Sequence, residues 1–320
     1  MSQPTAVPTT VEQPMPAALA ASTRRSVGRG QARTALLMIA PALLLVALFT
    51  LYPFGQAIYE STRISSPIFP PEFVGLQNYR DVIGSGYFAD AALTTLAFTA
   101  VVTPLLVVLG ILVALLLDQP FWGNSALRAG MLLPWAIPAS AAGVIWQWVF
   151  LDSWGALNAG LYSLGIIGDY IEWLTTPNLA RFAVIVVFVW TQLPLAALLV
   201  LAALQAIPRE LHEAAALDGA STFGRFWSIT LPGIRPMVVV VALYEALMAI
   251  TNFDITYALT HGGPGSATTM LTYFTWAESF KMLDFGQGAA LALVIAVGSL
   301  LLIVALLRAL PRGAILEEAR

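Results

Sequence analysis

Polar side chains are scarce along the apolar runs of this chain, so the few that interrupt them are the first candidates for chemistry. Glu245 is the lone carboxyl in the run Pro236–Phe253, with Tyr244 beside it; Asn252 lies near its end and Asp254 follows it. Trp190 and Gln192 lie in another run, Phe182–Pro208. Carboxylate and amide groups hydrogen-bond hydroxyls, and indole and phenol rings offer flat faces. Together they suit recognition of a polyhydroxylated solute. Polar groups within a bilayer span are costly and usually face a cavity. Two plainer readings stand beside this one: Glu245 bonds to a neighbouring helix, and Asp254 ends its helix at the interface. Gln192 and Pro194 predict an interruption of their helix, which would free backbone groups to line a cavity.

Catalytic constellations are missing. No Ser–His pair, paired Asp or His-Glu-x-x-His motif falls within an apolar run, and Cys is absent, which removes disulfides, Cys-ligated zinc and thiol chemistry. His212 and His261 stand alone in different loops without ligand-spaced partners, so no metal site is expected. Gly262-Gly263-Pro264-Gly265 reads as a turn, because no Lys-Ser/Thr follows it to make a phosphate loop. Asp81, Asp90 and Asp169 read as solvated loop charges. No basic tract is long enough to follow a nucleic-acid backbone.

The elements that must position these groups follow from composition. Of 320 residues, 58% are hydrophobic and 10% charged, against about 25% charged in soluble domains. The excess apolar sequence needs a bilayer as solvent. Charges delimit six runs at about 34–59, 91–117, 129–151, 182–208, 236–253 and 285–307. Each is long enough to cross roughly 30 Å of hydrocarbon as a helix, and continuous apolarity excludes the alternating strands of a barrel. The expected fold is an all-α membrane protein with six transmembrane helices. Residues 1–33, rich in Pro, Thr, Ala, Ser and Arg, read as a disordered tail, and 311–320 as a second tail. If the N-terminus is cytoplasmic, that side holds eleven basic residues against four on the other, so both termini are assigned to the cytoplasm. Trp146 and Trp148 are expected as interfacial anchors, and Gly110 and Gly298 as helix-packing positions.

The inner loop 209–235 has its own logic. Pro208 suits a first turn and Glu210 and Glu213 the positive end of a helix. Ala214–Leu217 are strong helix formers, Gly219 can take the positive φ of a C-terminal turn, and Ser221 can cap a second short helix that Pro232 closes. Phe223, Phe226, Trp227 and Ile229 supply apolar anchors. The expected object is a rigid elbow on the cytoplasmic face.

Glu213-Ala214-Ala215, then Gly219, then Ile229-Thr230-Leu231-Pro232 resembles, in spacing and in placement before the next-to-last span, the signature of ABC-importer permeases. Asp218-Gly219-Ala220 matches its common local form. The stretches Asn252–Gly265, Asp284-Phe285-Gly286 with Ala289-Ala290, Pro41, Tyr52-Pro53 and Gly75–Tyr79 resemble the sugar-permease branch, typified by maltose and glycerol-phosphate importers. The resemblance implies that the elbow is the coupling helix, with Glu213, Ala214, Ala215, Asp218, Gly219, Ala220, Phe226, Ile229, Leu231 and Pro232 at the contact with an ATPase. It implies as partners two ATP-binding subunits, a second permease forming a heterodimer, and an extracytoplasmic solute-binding protein. The chain lacks the Walker pattern Gly-x4-Gly-Lys-Ser/Thr, so ATP and magnesium would belong to the partner and no cofactor to this chain. The alternative is an ion-gradient-driven secondary transporter, for which Glu245 is the only obvious coupling group.

Overall fold

The computed structural model describes residues 29–309. The tails expected at 1–33 and 311–320 lie outside the described residues, except that 29–33 already belong to a helix. The elements in order are α1 (Arg29–Val46), a π-helical turn, α2 (Tyr52–Ser61), the strands β1 (Arg63–Ile64) and β2 (Glu72–Phe73), α3 (Gln77–Ile83), α4 (Gly86–Asp118), α5 (Asn124–Ala136), α6 (Ala139–Val149), α7 (Ala156–Ser163), α8 (Pro177–Ala206), α9 (Arg209–Leu217), α10 (Thr222–Arg225), a π-helical turn at Phe226–Thr230, α11 (Leu231–Ile250), α12 (Asp254–Leu259), α13 (Leu271–Trp276), a third π-helical turn at Ala277–Lys281, and α14 (Phe285–Ala309). The chain divides into two units, Met1–Phe54 and Gly55–Arg320; the core, the elbow and the candidate path belong to the second.

Among the described residues, five helices are long and apolar enough to cross a membrane: Leu37–Ser61, Gly86–Asp118, Pro177–Ala206, Thr222–Ile250 and Phe285–Arg308. The run expected as one helix at 129–151 is instead the pair α5 and α6, bent by 95°. Its cause is local. Ile137 precedes Pro138 and adopts φ −77°, ψ 130°, the extended conformation that a following proline imposes. Gln192 and Pro194 do not interrupt α8, which runs unbroken from Pro177 to Ala206 with Pro194 buried inside it. The all-helical expectation also omitted one short antiparallel pairing, in which Arg63 faces Phe73 and Ile64 faces Glu72.

α4 and α8 form the most extensive helix pair, joined by α11. Gly110 makes the close approach possible: a Cβ there would lie 3.3 Å from the Ala196 Cβ, so small residues do set this crossing. Gly298, expected in the same role, meets nothing within 4 Å. Two buried clusters line this helix group. One, built on Leu106, Phe150, Phe188 and Ile255, holds the half of α4 that follows the loops. The other, built on Leu117, Val200, Leu204 and Ile234, holds the half nearer the elbow. Trp146 is half-buried against the first cluster, with its ring 5.4 Å from Phe150 and 5.5 Å from Trp190. It is a packing residue, while Trp148 is exposed.

A clasp far from the elbow joins segments distant in sequence. The buried Asn78 amide donates to the carbonyls of Ser61 (2.9 Å) and Arg63 (2.8 Å), and Phe285 N–H donates to the Ser65 carbonyl at 2.8 Å. Gly286, at the start of α14, packs so closely that an added Cβ would strike the Arg63 carbonyl and lie 2.9 Å from Asn78 Nδ2. Two of the short stretches singled out in the sequence, around Asn78 and around Gly286, are therefore two sides of one contact.

Candidate functional site

The elbow is built as its sequence dictates, with one exception. α9 starts after Pro208, carries Glu210 in its first turn and ends at Gly219, whose φ is +81°. Ala220 N–H bonds the Ala215 carbonyl (2.9 Å) and Gly219 N–H the Ala216 carbonyl (3.1 Å). That bond pair is a Schellman motif, and it reverses the chain at the one residue type that takes this φ without strain. Ser221 Oγ accepts from Gly224 N–H at 3.1 Å and caps α10. The exception is Pro232. It does not close a short helix, because α10, the π turn and α11 form one continuous helix, Thr222–Ile250. Pro232 sits in the first two positions of α11, and Leu231 N–H bonds the Phe226 carbonyl across the wider π turn. A π turn relieves the clash that a proline ring otherwise makes with the preceding turn.

A hydrogen bond of 3.1 Å between His212 Nε2 and the buried Thr230 Oγ1 braces α9 against the base of this long helix. Glu213, Ala214, Asp218, Gly219 and Pro232 are exposed, while Ala215, Ala220, Phe226, Ile229 and Leu231 are half-buried. Phe223, Trp227 and Leu217, which is 90% exposed, present an apolar surface beside them. Glu213, His212 and Arg209 also line an open cleft of about 1100 Å³, together with residues of the 118–128 segment that include Trp122 and Arg128.

The candidate path residues are distributed along α8, α11 and the joint beyond it. Trp190 and Gln192 are half-buried on α8, and Tyr244 is half-buried on α11. α8 and α11 pack together. Glu245 is wholly enclosed, at 0% exposure, and neither carboxyl oxygen has a hydrogen-bond partner. Asn252 lies in the break between α11 and α12; its side-chain amide donates to Thr256 Oγ1 (3.2 Å) and Met270 Sδ (3.6 Å), and its backbone carbonyl accepts from Thr272 Oγ1 (2.6 Å). Asp254 is exposed and opens α12 instead of ending α11.

Sequence reading missed an aromatic cluster beyond Asn252. Phe253 stacks on Tyr257 at 5.2 Å, and Trp276 lies 4.8 Å from Tyr257 and 5.5 Å from Tyr273. Lys281 Nζ bonds the Tyr273 hydroxyl (3.0 Å) and lies over the Tyr273 and Trp276 rings. The i, i+4, i+8 spacing of Phe253, Tyr257 and His261 was the available signal. Among the described residues, no group of three or more His, Cys, Asp or Glu could hold a metal ion.

Comparison with known proteins agrees with this geometry. Residues 84–311 match the family described as binding-protein-dependent transport system inner membrane component. The chain is 37% identical over 268 residues to the sulfoquinovosyl glycerol transport system permease protein SmoG of Agrobacterium fabrum, covering 83% of this chain and 86% of that one. It is 37% identical over 265 residues to the trehalose/maltose transport system permease protein MalF of Thermococcus litoralis, covering 82% and 89%. A chain of a bacterial alginate ABC transporter, crystallised with its alginate-pentasaccharide-bound periplasmic protein, shares the fold with a TM-score of 0.76 at 20% identity, over 87% of this chain and 93% of that one. The match sets aside the ion-gradient-driven alternative. This chain belongs to the inner-membrane components of binding-protein-dependent ABC transport systems, multi-pass subunits that work with a solute-binding protein and an ATP-binding subunit and are not themselves enzymes.

Proposed function

We propose that this chain forms one half of the translocation path of a sugar importer and that its elbow receives the stroke of the ATPase. Both termini and the elbow lie in the cytoplasm, a reading supported by the eleven-to-four distribution of basic residues. Two ATP-binding subunits carry ATP and magnesium, one docking on Glu213–Ala220 of this chain and the other on a second, non-identical permease. The solute-binding protein delivers its cargo to the opposite end. Substrate contacts fall to Tyr244, Glu245 and Asn252, with Trp190, Gln192 and Asp254 along the route. Relatives named for trehalose and maltose, and for a sulfoquinovosyl glycerol, support a sugar as cargo.

The observation that carries this reading is the join between the exposed, braced turn at Gly219 and a single helix that runs from Thr222 to Glu245 and on to Ile250. A push on α9 acts at the base of the helix that holds the enclosed carboxyl. The test is affinity purification from gently solubilised membranes of wild type, Gly219→Asp and Glu213→Arg. Wild type should retain an ATP-binding subunit and a second permease. Both variants should lose the ATPase, Gly219→Asp through the backbone turn and Glu213→Arg through charge alone. An ATPase that stays bound to both variants would remove the elbow from the interface.

A further inference from the structure

We propose that a groove between α4 and α8, at the end of both helices away from the elbow, holds one acyl chain of an anionic phospholipid of the surrounding bilayer, with Arg181 on its phosphate. Thr94, Ala97, Phe98 and Val101 of α4 line a cavity of about 160 Å³ together with Arg181 and Val184 of α8. The α4 residues recur every three or four positions and so share one helix face, over about 10 Å of helix. Ala97, Val101 and Arg181 are exposed, so the groove opens to the outside of the chain. An apolar space of this size takes a hydrocarbon fragment. The bilayer supplies one, since α4 and α8 are both long and apolar enough to cross it. Neither the cargo nor the elbow's partner bears on this site.

The cation distinguishes this groove from ordinary lipid-facing surface. Arg181 Nε donates to the Ala267 carbonyl at 2.9 Å, and Nη1 donates to Asn178 Oδ1 at 3.0 Å. Those two bonds hold the guanidinium in place. Among the described residues its Nη2 has no partner, and no carboxylate pairs with it. Arg181 lies about 6 Å along α8 from Pro177, the first residue of the helix. That is near the end of a spanning helix, the level of the headgroups. The positive end of α8 adds to its field. A guanidinium bonds phosphate oxygens through charge-assisted pairs, and basic pockets between spanning helices bind lipid headgroups. A headgroup without a cation of its own is favoured, because the ammonium of a zwitterionic one offsets the attraction to Arg181. The bound chain also reaches the α11–α12 joint. Met270, another lining residue, accepts from Asn252 Nδ2 and Thr256 Oγ1 through its sulfur, at 3.6 Å each. An acyl chain packed on Met270 braces that joint from the lipid side.

The experiment uses the assembled importer in nanodiscs of dioleoyl phosphatidylcholine. The probes are phosphatidylglycerol and phosphatidylcholine, each carrying a photoactivatable diazirine on one acyl chain, and labelled residues are mapped by mass spectrometry. In wild type the phosphatidylglycerol probe should label 94–101 and 181–185 about tenfold more than the phosphatidylcholine probe, the size of one hydrogen bond to a charged group. Unlabelled phosphatidylglycerol should compete, and inorganic phosphate should not. Arg181→Gln should bring the two probes within about twofold of each other, while Arg181→Lys, which keeps the charge but not the planar fork, should retain a preference of about threefold. Ala97→Phe fills the groove and leaves the cation, so it should lower labelling by both probes about tenfold. Co-purification of the partner subunits should be unchanged in all three variants. A purely structural Arg181 would lower the Tm of the importer in Arg181→Gln and leave the lipid preference intact, which would overturn the proposal. Equal labelling of wild type by the two probes would also overturn it. So would competition by inorganic phosphate, which would make the ligand a free anion, or a groove without label, which would mean that a partner subunit covers it.

Discussion

The clasp at the start of α14 offers a stringent test of the packing, because the same substitution on the same helix should have opposite signs at two glycines. At Gly286 an added methyl would strike the Arg63 carbonyl and lie 2.9 Å from Asn78 Nδ2 and 3.4 Å from Ser65 N–H. Two of these three atoms are backbone, and the third belongs to an amide already held by two carbonyls, so none yields cheaply. Overpacking of this kind costs about 1–3 kcal/mol. Helix propensity returns somewhat less than about 1 kcal/mol at a first-turn position. The net loss for Gly286→Ala is then about 1–2 kcal/mol, a fall in Tm of about 2–8 °C at about 2–4 °C per kcal/mol for a chain of this size. Gly298 meets nothing within 4 Å, so Gly298→Ala keeps the propensity gain and should leave Tm unchanged or raise it by about 2 °C. Both are read by intrinsic tryptophan fluorescence of the purified, detergent-solubilised chain during heating. Equal shifts for the two variants would refute the geometry of the clasp.

Other consequences are as direct. Gly143 lies where α6 meets α12, and a Cβ there would come within 2.6 Å of the Ala258 Cβ; Gly143→Ala should cost about 1–3 kcal/mol, and adding Ala258→Gly should recover most of the lost Tm. Ser221→Ala removes the cap on Gly224 N–H and should loosen the elbow by about 0.5–2 kcal/mol, seen as faster amide hydrogen exchange over 222–225 with little change elsewhere. Burial, and secondarily the Asp284 charge, raise the Glu278 carboxyl above the ordinary carboxylate range. The folded state therefore holds this proton to higher pH than the unfolded chain, whose Glu titrates near about 4.3. The group's contribution is fully favourable below that value and is lost as pH rises through the folded value. Glu278→Gln should consequently match wild type in Tm near pH 4 and exceed it near pH 8.

What the sequence disclosed, and what it hid, follows from the solvent. Apolar length marks every span because hydrocarbon demands it. It does not say which face packs inward, since a lipid-facing Leu and a buried Leu read alike. Hence Trp146 read as an interfacial anchor, although its ring packs between Phe150 and Trp190. Prolines misled in both directions. Pro194 and Pro232 read as breaks, yet both lie within continuous helices. Pro138 was passed over, yet it follows the 95° bend because Ile137 is held extended before it. The elbow was legible down to Gly219 and Ser221, because caps and turns are local and carry their chemistry in adjacent residues. The clasp was not, because Asn78 and Gly286 lie far apart in sequence and meet only once the helices have packed.

The continuity of the helix through Pro232 constrains how the proposed stroke can travel. Had the helix closed at Pro232, a hinge would separate the elbow from the membrane, and movement of α9 could dissipate there. Instead Thr222–Ile250 is one rod, spanning about 43 Å at about 1.5 Å per residue. Glu245 lies near its far end, about 35 Å from Thr222 on the same rise. A short α9, pinned to the rod's base by His212 and Thr230, converts a displacement at Gly219 into tilt or rotation of the whole element. The compliant points are then the two ends: the left-handed turn at Gly219 and the break at 251–253, where helix geometry lapses between α11 and α12. Asn252 occupies that second point, with its amide and carbonyl both tied to neighbouring segments. Glu245 and Asn252, the proposed solute contacts, thus stand near the far end of this rod and at the joint beyond it, where a displacement carried from Gly219 would have its largest effect.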